Sequence, residues 1–172
     1  NVNDVNKYMY EYGRARIKGE SDIYWKQYEL ALSLRKVKRY DESLEHFENI
    51  IRQVKTADQG LDSFLGLTLF QCAYNAAIIK DIDKAMKYYS EIIDNNYLDY
   101  IDAASLNLGL LFYNEEKWED ALPLFKYCMD SEEVGSASVL AGECQLEISG
   151  YDDEEARSLI KEGLEILEND DD

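Results

Sequence analysis

The sequence predicts an all-α chain, an α-solenoid of about four helical hairpins with an N-terminal capping helix. Three observations predict it. Apolar residues recur at three- and four-residue steps through most of the 172 residues, as they do in helices buried on one face. No stretch alternates apolar and polar residues over strand length, no Asn-Gly turn occurs, and Pro is used once, at Pro123. Finally, a small residue followed four positions later by a bulky one returns as Ser43/Phe47, Ala85/Tyr89, Ala121/Phe125 and Ala156/Ile160, at separations of 42, 36 and 35 residues. A helix pair that recurs in this way buries its apolar face against the next copy.

The clearest copy is Asp102–Asp130. Its first half spreads Leu106, Leu108, Leu111, Phe112 and Tyr113 around much of a helix, so more than one face is covered. Gly109 lies mid-helix, where Gly costs about 1 kcal/mol against Ala; it belongs where a neighbouring helix leaves no room for a side chain. Glu115, Glu116 and Lys117 form the turn, and Trp118, Ala121, Leu122, Phe125 and Cys128 then mark one face of a second helix. Pro123 is expected near that helix's first turn, where a missing N–H does least harm. The leading helices align as well, through Leu30-Ala31, Cys72-Ala73, Leu108-Gly109 and Ala141-Gly142, and Tyr40, Ile82 and Trp118 repeat at the turns.

In chain order, residues 1–19 form the capping helix (Val2 to Lys18), with Val2, Val5, Tyr8, Met9 and Tyr12 on one face. That stripe covers the end of the stack or, alternatively, makes a homodimer through residues 2–18. Gly19-Glu20-Ser21 breaks it, with Ser21 or Asp22 as the next cap. The repeat domain, residues 20–168, then runs through helices at Ile23–Val37, Asp41–Lys55, Asp62 or Ser63 to Lys80 and Asp81–Asn95. Asp41 is placed to accept from free N–H groups at the start of its helix. Thr56–Gly60 is the linker that lengthens the first spacing. After the Asp102–Asp130 unit come Ser131–Ile148 and Asp153–Glu168. The last helix turns Ala156, Leu159, Ile160, Gly163, Leu164 and Leu167 inward and keeps a polar outer side, which closes the stack. Residues 169–172 are an acidic tail.

Net charge is −18, and it is uneven. Residues 1–55 hold 11 Lys/Arg against 9 Asp/Glu, whereas residues 56–172 hold 7 against 27. Nucleic-acid phosphates need a basic stripe, so that class of partner is excluded, while a partner of basic character is permitted along the later repeats, whose acidity otherwise reads as a solvated surface. No apolar run is long enough to insert in a membrane. Cys72, Cys128 and Cys144 fall at helical packing positions, neither a disulfide framework nor a zinc site; they read as small buried hydrophobes in a reducing, cytoplasmic compartment. His46, the one histidine, is expected at the surface. No catalytic residue, metal site or cofactor site is expected. Glu115-Glu116, Glu132-Glu133 and Asp152 to Glu155 are turn and first-turn carboxylates without EF-hand spacing.

Small residues at the hairpin crossings with aromatics beside them, over residues 23 to 168, resemble the tetratricopeptide repeat. The fourth copy departs from the pattern at Gln145, where a bulky residue belongs, and in the longer turn Ser149-Gly150-Tyr151-Asp152. The resemblance implies a non-catalytic adaptor whose leading helices line a concave groove for a peptide or partner helix. By register the groove residues are Trp25, Tyr28, Leu32 and Lys36 in the first copy, and Phe70, Gln71, Tyr74, Asn75 and Ile78 in the second. In the third they are Leu106, Asn107, Leu110, Tyr113 and Asn114. Aromatics supply apolar area there and side-chain amides can bond a peptide backbone. The positions that grip a C-terminal carboxylate in such proteins carry Tyr28, Leu32, Gln71, Ala103 and Asn107, without a cation, so that mode is not expected. Two other functions fit: a chaperone of the kind that shields secretion-system translocators, and a scaffolding or sensory segment of a larger regulator.

Overall fold

The computed structural model describes residues 2–18, 22–57, 61–131 and 134–170. Among the described residues there are nine helices and no strand: α1 (Val2–Lys18), α2 (Ile23–Lys36), α3 (Tyr40–Ala57), α4 (Asp62–Ile78), α5 (Ile82–Asp94), α6 (Ile101–Asn114), α7 (Trp118–Cys128), α8 (Val134–Ser149) and α9 (Glu154–Asp170). They form two compact units, residues 1–97 and 98–172, each holding two hairpins. The expected cap at Ser21, most of the Thr56–Gly60 linker, the Glu132-Glu133 pair and the last two residues of the acidic tail lie outside the described residues.

The small-residue column does what its spacing predicts. Ser43, Ala85, Ala121 and Ala156 are all fully buried, as are Phe47 and Phe125, with Tyr89 1% exposed. In the first unit α2 crosses α3 closely enough for Ser43 Oγ to donate to the Ala31 carbonyl at 2.6 Å. Asn75 of α4 then donates from Nδ2 to Ser43 Oγ at 2.7 Å, so three helices share one buried hydrogen-bonded chain. In the second unit a Cβ at position 109 would lie 2.7 Å from the Phe125 ring, and one at 142 would lie 2.6 Å from the Ala156 carbonyl oxygen. Glycine stands at these crossings because the partner helix occupies the space of a methyl group.

Four helices end alike. The N–H groups of Arg39, Asp81, Tyr97 and Lys117 reach back to the carbonyls of Leu34, Ala76, Ile92 and Phe112 at 2.9–3.1 Å. The residue before each donor is left-handed: Lys38, Lys80, Asn96 and Glu116 have φ of 54–67°. This is the six-to-one bond that closes a helix when one residue turns left-handed. Lys38, Lys80 and Glu116 repeat at the 42- and 36-residue steps of the packing column, so the turn is part of the repeat. An L residue pays about 1–2 kcal/mol for that backbone, and glycine loses about half of the saving in chain entropy. Lys38→Gly, Lys80→Gly and Glu116→Gly should therefore each stabilise by about 0.5–1 kcal/mol in urea melts. No change in the triple variant would refute this account.

Several helix bounds differ by one to three residues from those expected. Asp81 and Asp153 sit outside their helices as caps, Asp81 accepting from the Lys84 N–H at 3.2 Å and Asp153 from that of Ala156 at 3.0 Å. Asp41, by contrast, lies inside the first turn of α3, which starts at Tyr40. The departure at Gln145 also resolves here. Its Nε2 and the Ser149 hydroxyl both donate to Asp153 Oδ2, at 3.2 and 2.6 Å. Ser149, then the Ala156 N–H, hold the Asp153 carboxyl down at about 2.

Other expectations are corrected. On α1, Val5 and Ala15 are buried and Tyr8 and Tyr12 half-buried, but Val2 and Met9 face outward at 65% and 51% exposure, with Tyr10. Val5, Tyr8 and Tyr12 pack with Leu30 and Leu34 of α2, and only one residue per turn fits that seam. Pro123 is the sixth residue of α7, so the Glu119 carbonyl forgoes its helical donor; the proline is exposed. On α9, Ala156 and Gly163 are buried, but Leu164 is 48% and Leu167 37% exposed. Here the contact is made by the glycine crossings, which leave larger residues at the flanks. The helix runs to Asp170 rather than Glu168, and Asn169 bonds back to the Glu165 carbonyl at 2.7 Å.

Candidate functional site

In the first unit, Phe70, Tyr74 and Ile78 follow one another at four-residue steps along α4 and so share a face. With Gln71 they line a pocket of about 350 Å³, completed by Arg35 from the last turn of α2 and Tyr40 from the first residue of α3. The Arg35 guanidinium lies 5.2 Å from the Tyr74 ring centroid and donates to Gln71 Oε1. Phe70 meets the buried Tyr89 edge-on, with centroids 5.7 Å apart, while Tyr74 remains 44% exposed. The pocket thus has an apolar floor and a cation fixed over an exposed aromatic, an arrangement worth up to about 1 kcal/mol in solvent and more once water is excluded.

Four of the five expected α4 residues meet there. Asn75 does not: it is fully buried, in the hydrogen-bonded chain to Ser43. Nor does Tyr28 line a groove. It is 7% exposed, edge-on to Phe47 at 5.3 Å and tilted on Phe64 at 5.7 Å. Both are packing residues, because α2 and α4 are covered on more sides than one groove model allows. Trp25 is 53% exposed beside Phe64, at 4.5 Å; Leu32 is half-buried and Lys36 exposed, and none of these three lines the pocket. Arg35 and Tyr40 were missed as site residues.

In the second unit, Leu106, Leu110 and Tyr113 are half-buried against the core of Ala121, Phe125, Ala141 and Cys144. The Tyr113 hydroxyl donates to Glu143 Oε2 of α8 at 2.8 Å. Burial, and then that carboxylate, push the phenol up to about 12. Asn107 Nδ2 turns back to the Ala103 carbonyl at 2.7 Å, and Asn114 is exposed. Leu106 and Asn107 line a second pocket of about 560 Å³ whose other walls include Asp99, Asp102 and Asp130. These three carboxylates are the local form of the acidic surplus.

His46 is a correction. It is half-buried, edge-on to Tyr12 with centroids 5.9 Å apart, and its carbonyl accepts from Gln27 Nε2 at 3.3 Å. Burial lowers its pKa, against the pull of Glu45 and Glu42. Cys72, Cys128 and Cys144 are free and buried. Burial raises the Cys72 thiol well above its ordinary value and Cys144 to about 11, so little thiolate forms at neutral pH. Among the described residues no group of three or more His, Cys, Asp or Glu is placed to hold a metal, and no helix is long and apolar enough to cross a membrane.

No family model matches the sequence, and no curated protein is significantly similar to it. Solved structures are similar in fold. MamA superposes with a TM-score of 0.74 at 14% identity, over 96% of this chain and 88% of that one. YrrB, a TPR protein with an unusual peptide-binding site, gives 0.70 at 16% identity, over 96% of this chain and 79% of that one. The Rap conjugation gene regulator of plasmid pLS20, solved with the Phr* peptide, gives 0.60 at 19% identity; it covers 99% of this chain, which matches 50% of that regulator. At such identities the likeness is one of fold.

Proposed function

The chain folds as a tetratricopeptide-repeat solenoid, and from that premise we propose a non-catalytic protein–protein interaction module that binds a polypeptide segment. The observation that carries the reading is Tyr74: an aromatic 44% exposed, held under Arg35 at the mouth of a pocket of about 350 Å³. Leaving that ring in water forgoes favourable apolar burial, which an aliphatic or aromatic anchor from a partner supplies. Arg35 can bond a carbonyl or carboxylate flanking the anchor. The acidic pocket of the second unit, with Asp99, Asp102 and Asp130, suits basic residues in the partner, and that part of the affinity falls with salt. YrrB and Rap, whose structures carry a peptide-binding site and a bound peptide, support the reading by analogy of fold alone.

The test is selection from a displayed peptide library, followed by titration of the enriched peptides. Enriched sequences should carry an apolar anchor and Lys or Arg, and Tyr74→Ala should weaken them by about thirtyfold. Helicity should stay unchanged, since Tyr74 is 44% exposed and lies outside the buried core. Equal affinity of wild type and Tyr74→Ala would remove the pocket from consideration.

A further inference from the structure

A third cavity, of about 410 Å³, lies among α1, α2 and α3 of the first unit, and the peptide reading does not use it. Its size is within the range of small-molecule sites. Two guanidiniums belong to its lining, Arg16 from α1 and Arg52 from α3. Both side chains are exposed, and neither forms an ion pair among the described residues. Two like charges on one cavity repel each other unless an anion lies between them.

The rest of the lining is mainly polar and carries one carboxylate, that of Glu45, beside the half-buried His46. Gln27 of α2 is fully buried and belongs to the lining. Its Nε2 is committed to the His46 carbonyl at 3.3 Å, while its Oε1 accepts from no group among the described residues. A buried acceptor left without a donor costs about 1–3 kcal/mol. Asn49, one turn beyond Glu45 on α3, adds a side-chain amide to the same wall. The cavity therefore offers two guanidiniums against one carboxylate, with neutral hydrogen-bonding groups between them in the lining.

We propose that this cavity binds a small organic oxyanion that also carries a hydrogen-bond donor, the oxyanion held by Arg16 and Arg52 and the donor by Glu45 and the amides. A planar guanidinium suits carboxylate and phosphate alike, so the class is fixed by charge and the head group by experiment. The test uses the full chain, with citrate and malate as carboxylate probes and inorganic phosphate and glycerol phosphate as phosphate probes. Potassium chloride at matched ionic strength is the reference. One probe pair should raise the melting temperature above chloride and bind with one-to-one stoichiometry by calorimetry. Arg16→Gln and Arg52→Gln should each weaken that binding at least about tenfold, with unchanged circular dichroism, because both residues are exposed. The double variant should lose it. The proposal is overturned if neither pair exceeds chloride, or if the double variant binds as wild type does, which would put the anion elsewhere.

Discussion

Gly163→Ala is expected to lower the melting temperature by about 5–10 °C, equivalent to about 2–3 kcal/mol. A Cβ at this position would stand 2.6 Å from the Gly135 carbonyl oxygen and 2.9 Å from the Val139 N, with Val139 Cγ2 at 2.8 Å. Two of the three contacts are backbone, which cannot rotate away, so α8 and α9 must separate. The substitution also gains about 1 kcal/mol of helix propensity, and the packing cost has to exceed that gain to show. Gly13→Ala supplies the control: nothing lies within 4 Å of its Cβ, so only the propensity gain remains and the protein should become more stable. Thermal unfolding of both variants measures the difference directly. If Gly163→Ala were as stable as Gly13→Ala, the close crossing of α8 and α9 would be wrong.

Gly109→Ala tests another close crossing of the second unit and differs in kind. Its Cβ would meet the Phe125 ring at 2.7, 3.0 and 3.1 Å, a side chain that is fully buried and edge-on to Tyr113 at 6.3 Å. We expect a loss of about 1–3 kcal/mol from overpacking. Phe125→Leu alone should also destabilise, by about 1–2 kcal/mol, by leaving a void. Together they should cost less than their sum by about 1 kcal/mol, since the shorter side chain makes room for the added methyl. A urea-denaturation double-mutant cycle reads this coupling. Strict additivity would show that the two residues do not share the space.

These contrasts indicate which parts of the molecule could be read from residues alone. The crossing column was legible because each position tolerates only a small side chain, and size is explicit in the sequence. Gly109 could be placed against a partner helix before any coordinates, though that its partner is Phe125 could not. The direction of Tyr28 and Asn75 was not legible. α2 and α4 are apolar or weakly polar on several sides, so periodicity does not say which side faces a groove and which a neighbouring hairpin. Asn75 in particular looked like a groove amide because its true partner, Ser43, is 32 residues away. His46 was misplaced for a related reason. Its cover comes from Tyr12 on α1, which no local pattern around residue 46 announces. The left-handed turns were hidden too, since Lys38, Lys80 and Glu116 occupy positions where glycine would have signalled them.

The Asn75–Ser43–Ala31 chain has a consequence for how the first unit is assembled. In an interface built from apolar side chains, α4 could slide by a helical turn along α3 and lose little, because one greasy contact resembles the next. A slip of that size would strand the Asn75 amide, already short of a partner for its Oδ1, and deprive Ser43 of its donor. The polar trio therefore works as a detent, trading some stability for a single alignment of the two hairpins.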